Sequence, residues 1–283
     1  MTIMNGREVS KKRNLELKEK IDKAIKIVNR APSLAVILVG DDPASHIYVN
    51  SKINQANSVG IDSFDIKLPS DILETDLIEV INKLNQDDTV DGILIQLPLP
   101  SHLNSGKLLD LVKPEKDVDG FSVLNQGKLF QNRNAIISAT PKGIMNLIDN
   151  YNIELKGLNC TVIGRSLIVG LPIAKLLIDR NATVTTCHRH TSNLKEHTIN
   201  ADLIVVATGQ VNLITADMVK EGVIIIDVGI NRIGKKICGD VDFDNVSKKA
   251  SYITPVPGGV GPMTISALLE NVFEVYLQKF NLI

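Results

Sequence analysis

A chain of 283 residues with 44% hydrophobic and 22% charged side chains carries enough apolar material for two globular domains of ordinary size. A formal net charge of −1 gives no electrostatic basis for holding nucleic acid or an anionic membrane surface. Apolar runs such as Val223 to Ile226 fall far short of the roughly 18 residues that a membrane span requires. Cys160, Cys187 and Cys238 form no C-x-x-C pair and read as small hydrophobes, and His188 and His190 lack a further ligand pair, so no metal site is expected. With no signal-like segment near Met1, a cytoplasmic protein is expected.

A polar helix from about Ser10 to Asn29 leads into the apolar run Leu34 to Val39, which reads as a buried parallel strand. Asp42 as N-cap and Pro43 in the first turn open a helix that ends at Gly60. A strand near Phe64 to Leu68, a helix from Glu74 to Asn85 and a strand from Gly92 to Gln96 follow; beyond Pro98 and Pro100 comes a short helix over Gly106 to Val112. Asn125 to Ser138 shows no assignable pattern. Thr140-Pro141-Lys142-Gly143 opens a helix over Ile144 to Tyr151, and a second alternating series begins: strand Cys160 to Ile163, helix Val169 to Asp179, then strands Thr183 to Cys187, Leu203 to Ala207 and Val223 to Asp227. Ile230 to Val241, with Gly234, Gly239 and the basic pair Lys235-Lys236, reads as a projecting hairpin. Tyr252 and Ile253 finish the sheet, the Pro/Gly-rich stretch to Pro262 reads as a loop, and an amphipathic helix runs from Thr264 to about Phe280.

Such alternation predicts an α/β fold with parallel sheets and right-handed crossovers. The Pro/Gly stretches at 140–143 and 254–262 bracket the second series, which therefore reads as a domain inserted into the first, with the last helix returning to the N-terminal sheet. The expected division is 1–139 plus 263–283 for one domain and 140–262 for the other.

The helix after Gly40 organises the chemistry. Tyr48 and Lys52, four residues apart, share one face, while the stripe Val49, Ile53, Ala56 pins the helix to the sheet. Gln96 is the only polar side chain of its strand and stands before a Pro-bounded turn, and Lys116-Asp117-Val118-Asp119-Gly120-Phe121 follows. A strand-end glutamine, a turn-borne aspartate, a lysine and a tyrosine make a polar cluster on apolar walls. On residue types alone, Gln96 closing a strand end and Asp119 forming an Asx-turn before Gly120 are equally good readings. Gly164-Arg165-Ser166-Leu167-Ile168-Val169-Gly170 lies between a strand and a helix, where a dinucleotide fold seats pyrophosphate; an ordinary βα turn explains it as well. From Asn181 through Lys195 there is no acidic residue, whereas an NAD site ends its second strand with Asp or Glu. Arg165, Arg189 and His190 offer cations there instead, which favours a 2′-phosphate and hence NADP.

Tyr48-x-x-x-Lys52, Gln96-Leu97-Pro98-Leu99-Pro100, Asp117-Val118-Asp119-Gly120, Gly164-Arg165-Ser166 with Val169-Gly170-Leu171-Pro172, and Pro255-Val256-Pro257-Gly258-Gly259-Val260-Gly261-Pro262 come in the order of one family. The chain resembles the bifunctional methylenetetrahydrofolate dehydrogenase/methenyltetrahydrofolate cyclohydrolase enzymes over nearly its whole length. The resemblance implies a folate-binding catalytic domain, an inserted Rossmann-like NADP-binding domain, a homodimer, and a place in one-carbon metabolism and purine biosynthesis. It implies oxidation of 5,10-methylenetetrahydrofolate, then hydrolysis of the methenyl product to 10-formyltetrahydrofolate. Lys52 and Gln96 would be catalytic; Tyr48, Asp119, Gly259 and Pro262 would contact substrate; Gly164, Arg165, Ser166, Gly170, Arg189 and the backbone of Ile230 would contact NADP. The family carries Ser then Arg or Lys where this chain has Arg189 and His190, and often cysteine at Ala139.

The hydride step needs two rings held in contact and no general base. Hydrolysis needs a titratable group, and a lysine can serve if its surroundings bring it from about 10.4 to about 7 to 8, a difference of roughly 4 kcal/mol. A dehydrogenase without cyclohydrolase activity would have no need of Lys52, and a nucleotide-sensing protein without turnover would need only the glycine loop.

Overall fold

The protein is described by a computed structural model covering residues 1–234 and 236–282; Lys235, one of the expected basic pair, lies outside the described residues. In chain order the elements are β1 (Thr2–Ile3), α1 (Gly6–Val28), β2 (Ser33–Val39), α2 (Pro43–Ser58), β3 (Asp62–Leu68), α3 (Glu74–Gln86), β4 (Gly92–Ile95), α4 (Ser105–Asp110), α5 (Val123–Phe130) and α6 (Ala139–Asn150). They continue with β5 (Asn159–Ile163), α7 (Gly170–Asp179), β6 (Thr183–Cys187), α8 (Leu194–Thr198), β7 (Leu203–Val206), β8 (Ile224–Asp227), β9 (Asn231–Ile233), β10 (Lys236–Cys238), α9 (Phe243–Val246), β11 (Tyr252–Ile253) and α10 (Val260–Lys279). No helix among the described residues is long and apolar enough to cross a membrane.

The chain forms two compact units, Met1–Lys11 with Thr140–Ala267 and Lys12–Ala139 with Leu268–Ile283. The second holds a parallel sheet of order β3-β2-β4. Every residue of β2 is buried, because the period of two sends alternate side chains to two separate cores. Leu34, Val36 and Leu38 pack with Leu17 and Ile21 of α1 and with Leu269, Val272 and Tyr276 of α10. Ala35, Ile37 and Val39 pack with Leu77, Ile81 and Leu84 of α3 and with Leu108. Each large side chain so buried stabilises the unit by about 1.5–3 kcal/mol. Asp91, at the foot of β4, is buried and accepts two bonds from the Arg30 guanidinium, at 2.8 and 2.7 Å, and one from Ser33 N at 2.9 Å. The same guanidinium lies 5.5 Å from the Tyr276 ring centre and 5.2 Å from that of Phe280, so one ion pair fastens the end of α10 to the start of β2.

The other unit has a six-stranded, all-parallel sheet of order β1-β11-β8-β7-β5-β6. From β5 the chain passes through α7 to β6 on one side, then to β7 on the other, the reversal at which dinucleotide folds bind their ligands. β1 was not expected: two residues carry no periodicity, and Thr2 and Ile3 form a strand only because Tyr252 and Ile253 offer them an edge. That pairing groups the first eleven residues with 140–267, whereas the sequence division placed them in 1–139.

The 140–143 stretch, expected to precede its helix, lies inside α6, while of the expected loop at 254–262 residues 254–259 are loop and 260–262 begin α10. Pro141 is the third residue of α6 and Pro262 the third of α10, within the first turn, where N–H groups have no intrahelical partner and a missing one costs nothing. A Cβ on Gly143 would sit 2.7 Å from Met263 O, so that glycine serves close packing of the two helices rather than a turn. Asn125–Ser138, unassigned from sequence, begins inside α5, whose N-cap Ser122 accepts from Asn125 N. The expected hairpin is the antiparallel ribbon β9–β10, with Asn231 opposite Cys238.

Removing the Asp91 carboxylate leaves the Arg30 guanidinium and Lys279 without their charged partner and the Ser33 N–H without its acceptor. Asp91→Ala is expected to lower the stability of the unit built on the β3-β2-β4 sheet by about 3 kcal/mol, read as a fall in denaturant midpoint at unchanged m-value.

Candidate active site

In the β3-β2-β4 sheet the connections from β2 also leave to opposite sides, so the carboxyl ends of β2 and β4 flank a switch point. α2 starts just beyond β2, capped by Asp42, whose Oδ2 accepts from Ser45 N at 2.8 Å. Val49 and Ala56 are buried and Ile53 packs against the same core, as the stripe predicts, which fixes the face carrying Tyr48 and Lys52. Lys52 Nζ donates to Gln96 Oε1 at 3.0 Å, and Gln96 Nε2 donates to the Leu97 carbonyl at 2.6 Å. The amide is thereby held with its oxygen toward the amine. Tyr48, one turn earlier, is 41% exposed and available for stacking.

The 116–122 segment sorts its own charges. Asp117 pairs alongside Ile93 and is buried, accepting from Phe121 N (3.1 Å), Ser122 N (2.8 Å) and Asn125 Nδ2 (3.0 Å). Lys116 is buried too, and its ammonium donates to the carbonyls of Leu84 and Asp87 at 2.9 and 2.7 Å. Both are structural. Asp119, two residues on, is half-buried and takes no hydrogen bond from any described residue, so the turn is held by Asp117 and the Asx-turn alternative for Asp119 falls away. Gly120 has φ +68°, and a Cβ there would meet Ile136 O at 2.5 Å.

Burial lowers the Lys52 pKa, opposed by the negative charge of Asp119. Burial likewise raises Asp119 to about 6, opposed by Lys52 and reinforced by Asp117. Each charge stabilises the other while desolvation disfavours both. The result is an amine whose pKa is lowered and a carboxylate raised to about 6.

The other unit carries the remaining predicted residues. Gly164 closes β5 with φ +121°, and a Cβ there would lie 2.5 Å from Ala207 O; on Gly170 it would lie 2.2 Å from Gly164 O. Ser166 Oγ accepts from Val169 N and Gly170 N at 3.2 and 3.3 Å and shapes the loop into α7. Both glycines thus let the loop close tightly between β5 and α7, with Arg165 exposed on it. At the end of β6, Arg189 is exposed and its Nε donates to His190 Nε2 at 3.1 Å. Ile230 is 51% exposed. Gly259 is buried, with its Cβ position 2.7 Å from Pro255 O and its own carbonyl 1.8 Å from where a Gly6 Cβ would be; Pro262 is half-buried. Tyr48, Lys52, Gln96 and Asp119 therefore share one unit, and Gly259 and Pro262 belong with the glycine loop.

Two acids passed over in the sequence hold the strand end before Ile230. Asp227 accepts from Gly229 N, Asp240 N and Val241 N, and burial raises it to about 6. Asp240 accepts from Thr208 N, Gly209 N and Asn231 Nδ2. The available signal was an aspartate closing the apolar run Ile224-Ile225-Ile226.

The family model for the tetrahydrofolate dehydrogenase/cyclohydrolase catalytic domain matches residues 4–119, and that for the NAD(P)-binding domain of the same family matches residues 138–280. The bifunctional protein FolD of a Nitratiruptor species is 51% identical over 279 residues, covering 99% of each chain. The crystal structure of the bifunctional enzyme FolD, methylenetetrahydrofolate dehydrogenase/cyclohydrolase, from Campylobacter jejuni is similar at 49% identity and TM-score 0.96, over 99% of each chain. A Trypanosoma brucei N5,N10-methylenetetrahydrofolate dehydrogenase-cyclohydrolase, complexed with NADP cofactor and inhibitor, is 34% identical with TM-score 0.96, over 99% of this chain and 98% of that one.

Asp119 binds its proton more tightly folded than unfolded, so its ionisation opposes folding as pH rises from about 3.8 through about 6. Asp119→Asn is expected to raise the denaturant midpoint at pH 7, by about 2 kcal/mol in stability, and to leave it nearly unchanged at pH 4.

Proposed function

The chain belongs to the tetrahydrofolate dehydrogenase/cyclohydrolase family, and from that premise we propose that it oxidises 5,10-methylenetetrahydrofolate with NADP and hydrolyses the methenyl product to 10-formyltetrahydrofolate. The observation that carries the second activity is Lys52 Nζ bonded to Gln96 Oε1 at 3.0 Å, in surroundings that disfavour its charged form. A neutral amine that gives one hydrogen to Gln96 keeps a lone pair for a proton. As water attacks the methenyl carbon and the C–O bond forms, Lys52 takes the water's proton. It returns that proton to the ring nitrogen as the carbon–nitrogen bond breaks, while the carbinol hydroxyl gives up water's second proton to solvent as the formyl C=O forms on the other nitrogen. Gln96 is then the group that aims the amine.

Asp119 supports substrate binding in this reading, because an ionised carboxylate without a protein partner suits the adjacent N–H and amino donors of a pterin edge. Tyr48 offers a flat face to the same ring, and Gly259 and Pro262 are assigned to the substrate wall. NADP, when bound, supplies the hydride acceptor. Gly164, Ser166 and Gly170 would hold its pyrophosphate and Arg165 and Arg189 its 2′-phosphate, with the backbone at Ile230 against the nicotinamide. The tight glycine loop between β5 and α7 and the lack of any acid from Asn181 through Lys195 support that cofactor. Residues 1–139 with 263–283 are assigned to folate and 140–262 to NADP.

We place the enzyme in the cytoplasm, in keeping with three free cysteines, and in the one-carbon supply to purine biosynthesis. A homodimer is part of the reading. An isolated two-stranded ribbon is marginal in water, and β9–β10 leaves Ile233 and Ile237 58% and 39% exposed. A dehydrogenase lacking the hydrolase, or a sensor lacking both, is not favoured by the comparisons.

Lys52→Met is expected to lower hydrolysis at least a thousandfold while lowering NADPH formation less than tenfold, about 4 against 1.4 kcal/mol. Spectrophotometry would show methenyl product accumulating; equal loss of both rates in a folded variant removes Lys52 from the proton-transfer role. Light scattering should give twice 30.9 kDa for the wild type, and Ile233→Asp with Ile237→Asp should give the monomer mass.

A further inference from the structure

Beyond the two arginines, the end of β6 carries a chain of imidazoles. β5 and β6 run in register, Ile163 opposite Cys187, and Gly164 N donates to Cys187 O at 2.9 Å. Arg165 and the 188–190 segment therefore leave the sheet edge on adjacent strands. His190 is exposed; its Nε2 accepts from Arg189 Nε at 3.1 Å, and its backbone N–H donates to His188 Nδ1 at 3.2 Å. The two rings meet edge to face, 6.0 Å between centres. An Nε2 that accepts from a guanidinium must hold a lone pair, so this arrangement belongs to the neutral ring. A proton on Nε2 ends that bond, frees Arg189 Nε and presents a second cationic donor beside it.

A phosphate monoester dianion has acceptors for both donors. The charged and titratable groups facing this corner are His188 and Arg189 on its own segment and Arg165 on the neighbouring loop, with Lys195, Glu196 and His197 on α8. Lys195 is paired with Asp217, and the Glu196 carboxylate is held by the Asn193 amide.

We propose that His190 is a specificity-determining residue that makes the preference for NADP over NAD depend on pH: the 2′-phosphate is gripped by a protonated His190 together with the released Arg189. The proposal rests on NADP being the cofactor, as argued above. Phosphate and proton then bind cooperatively, whereas NAD, which lacks the phosphate, gains nothing from the proton.

The test is calorimetric titration of the full-length protein with NADP and with NAD at pH 6.5, 7.5 and 8.5, in two buffers of different ionisation enthalpy. For the wild type, the ratio of NAD to NADP dissociation constants should fall about tenfold from pH 6.5 to 8.5, with net proton uptake on binding NADP only. The phosphate's own ionisation runs the other way, since it becomes more fully dianionic as pH rises. His190→Lys should keep a high ratio, flat within about twofold, and His190→Gln a low and equally flat one. A His190→Gln profile that still falls with pH as the wild type does would overturn the proposal while leaving the cofactor assignment intact. Failure of NADP to bind more tightly than NAD at any pH in any variant would overturn both.

Discussion

Seven consecutive buried residues, Ser33 to Val39, require β2 to be covered on both faces, and that covering determines where Lys52 sits. Alternate side chains feed two cores, one built with α1 and α10, the other with α3. A strand so placed must be central, with β3 and β4 on its two sides, and its carboxyl end becomes the point from which neighbouring connections diverge. α2 leaves from that end, and its buried stripe leaves no rotational freedom. Lys52 is consequently carried toward the end of β4, where Gln96 is the first side chain beyond the strand, and the 3.0 Å bond between them follows from two helix turns and one strand register. The residues of the core are therefore as much a part of the chemistry as the amine is.

The 116–119 segment shows how one short stretch separates structural charge from chemical charge. Lys116 and Asp117 are buried and saturated with partners, and a charge so satisfied is held in place. Asp119 and Lys52 are left with a single protein hydrogen bond between them, the one from Lys52 to Gln96. Desolvation, only partly offset by the attraction between the two charges, moves both groups toward neutral protonation states, which destabilises the fold and readies the groups for a ligand. The contrast could not be read from residue types: a K-D-V-D-G run has two aspartates, and which one caps the turn is decided by backbone geometry and by Asn125, from a segment that showed no pattern.

What was legible in the sequence was whatever depends on periodicity or on spacing within one element. The buried strands, the Tyr48/Lys52 face, the hairpin and the glycine loop are all of that kind. What was not legible depends on partners remote in sequence. Thr2 and Ile3 become a strand because of residues 250 positions away. Pro141 and Pro262 look like breakers, yet each sits in a first helical turn where its missing N–H has no consequence. Asp227 and Asp240 lie thirteen residues apart as ordinary polar positions, and only the fold makes them buried acceptors for five backbone N–H groups.

The glycines extend the same distinction to function. Gly6, Gly143 and Gly259 are confined by atoms of the protein itself, so their small size is spent on packing, and a side chain at any of them would push backbone apart. Gly164 and Gly170 are confined in the same way, by the carbonyls of Ala207 and of Gly164, while the loop residues Arg165 to Ile168 between them stand exposed. Glycine at those two positions closes the loop tightly, with Val169 N and Gly170 N donating to Ser166 Oγ and Leu171 N to Ser166 O, and leaves Arg165 exposed beside it. The corner at Arg189 and His190 continues that surface along the adjacent strand. From Asn181 through Lys195 that sheet edge thus presents cations and no carboxylate.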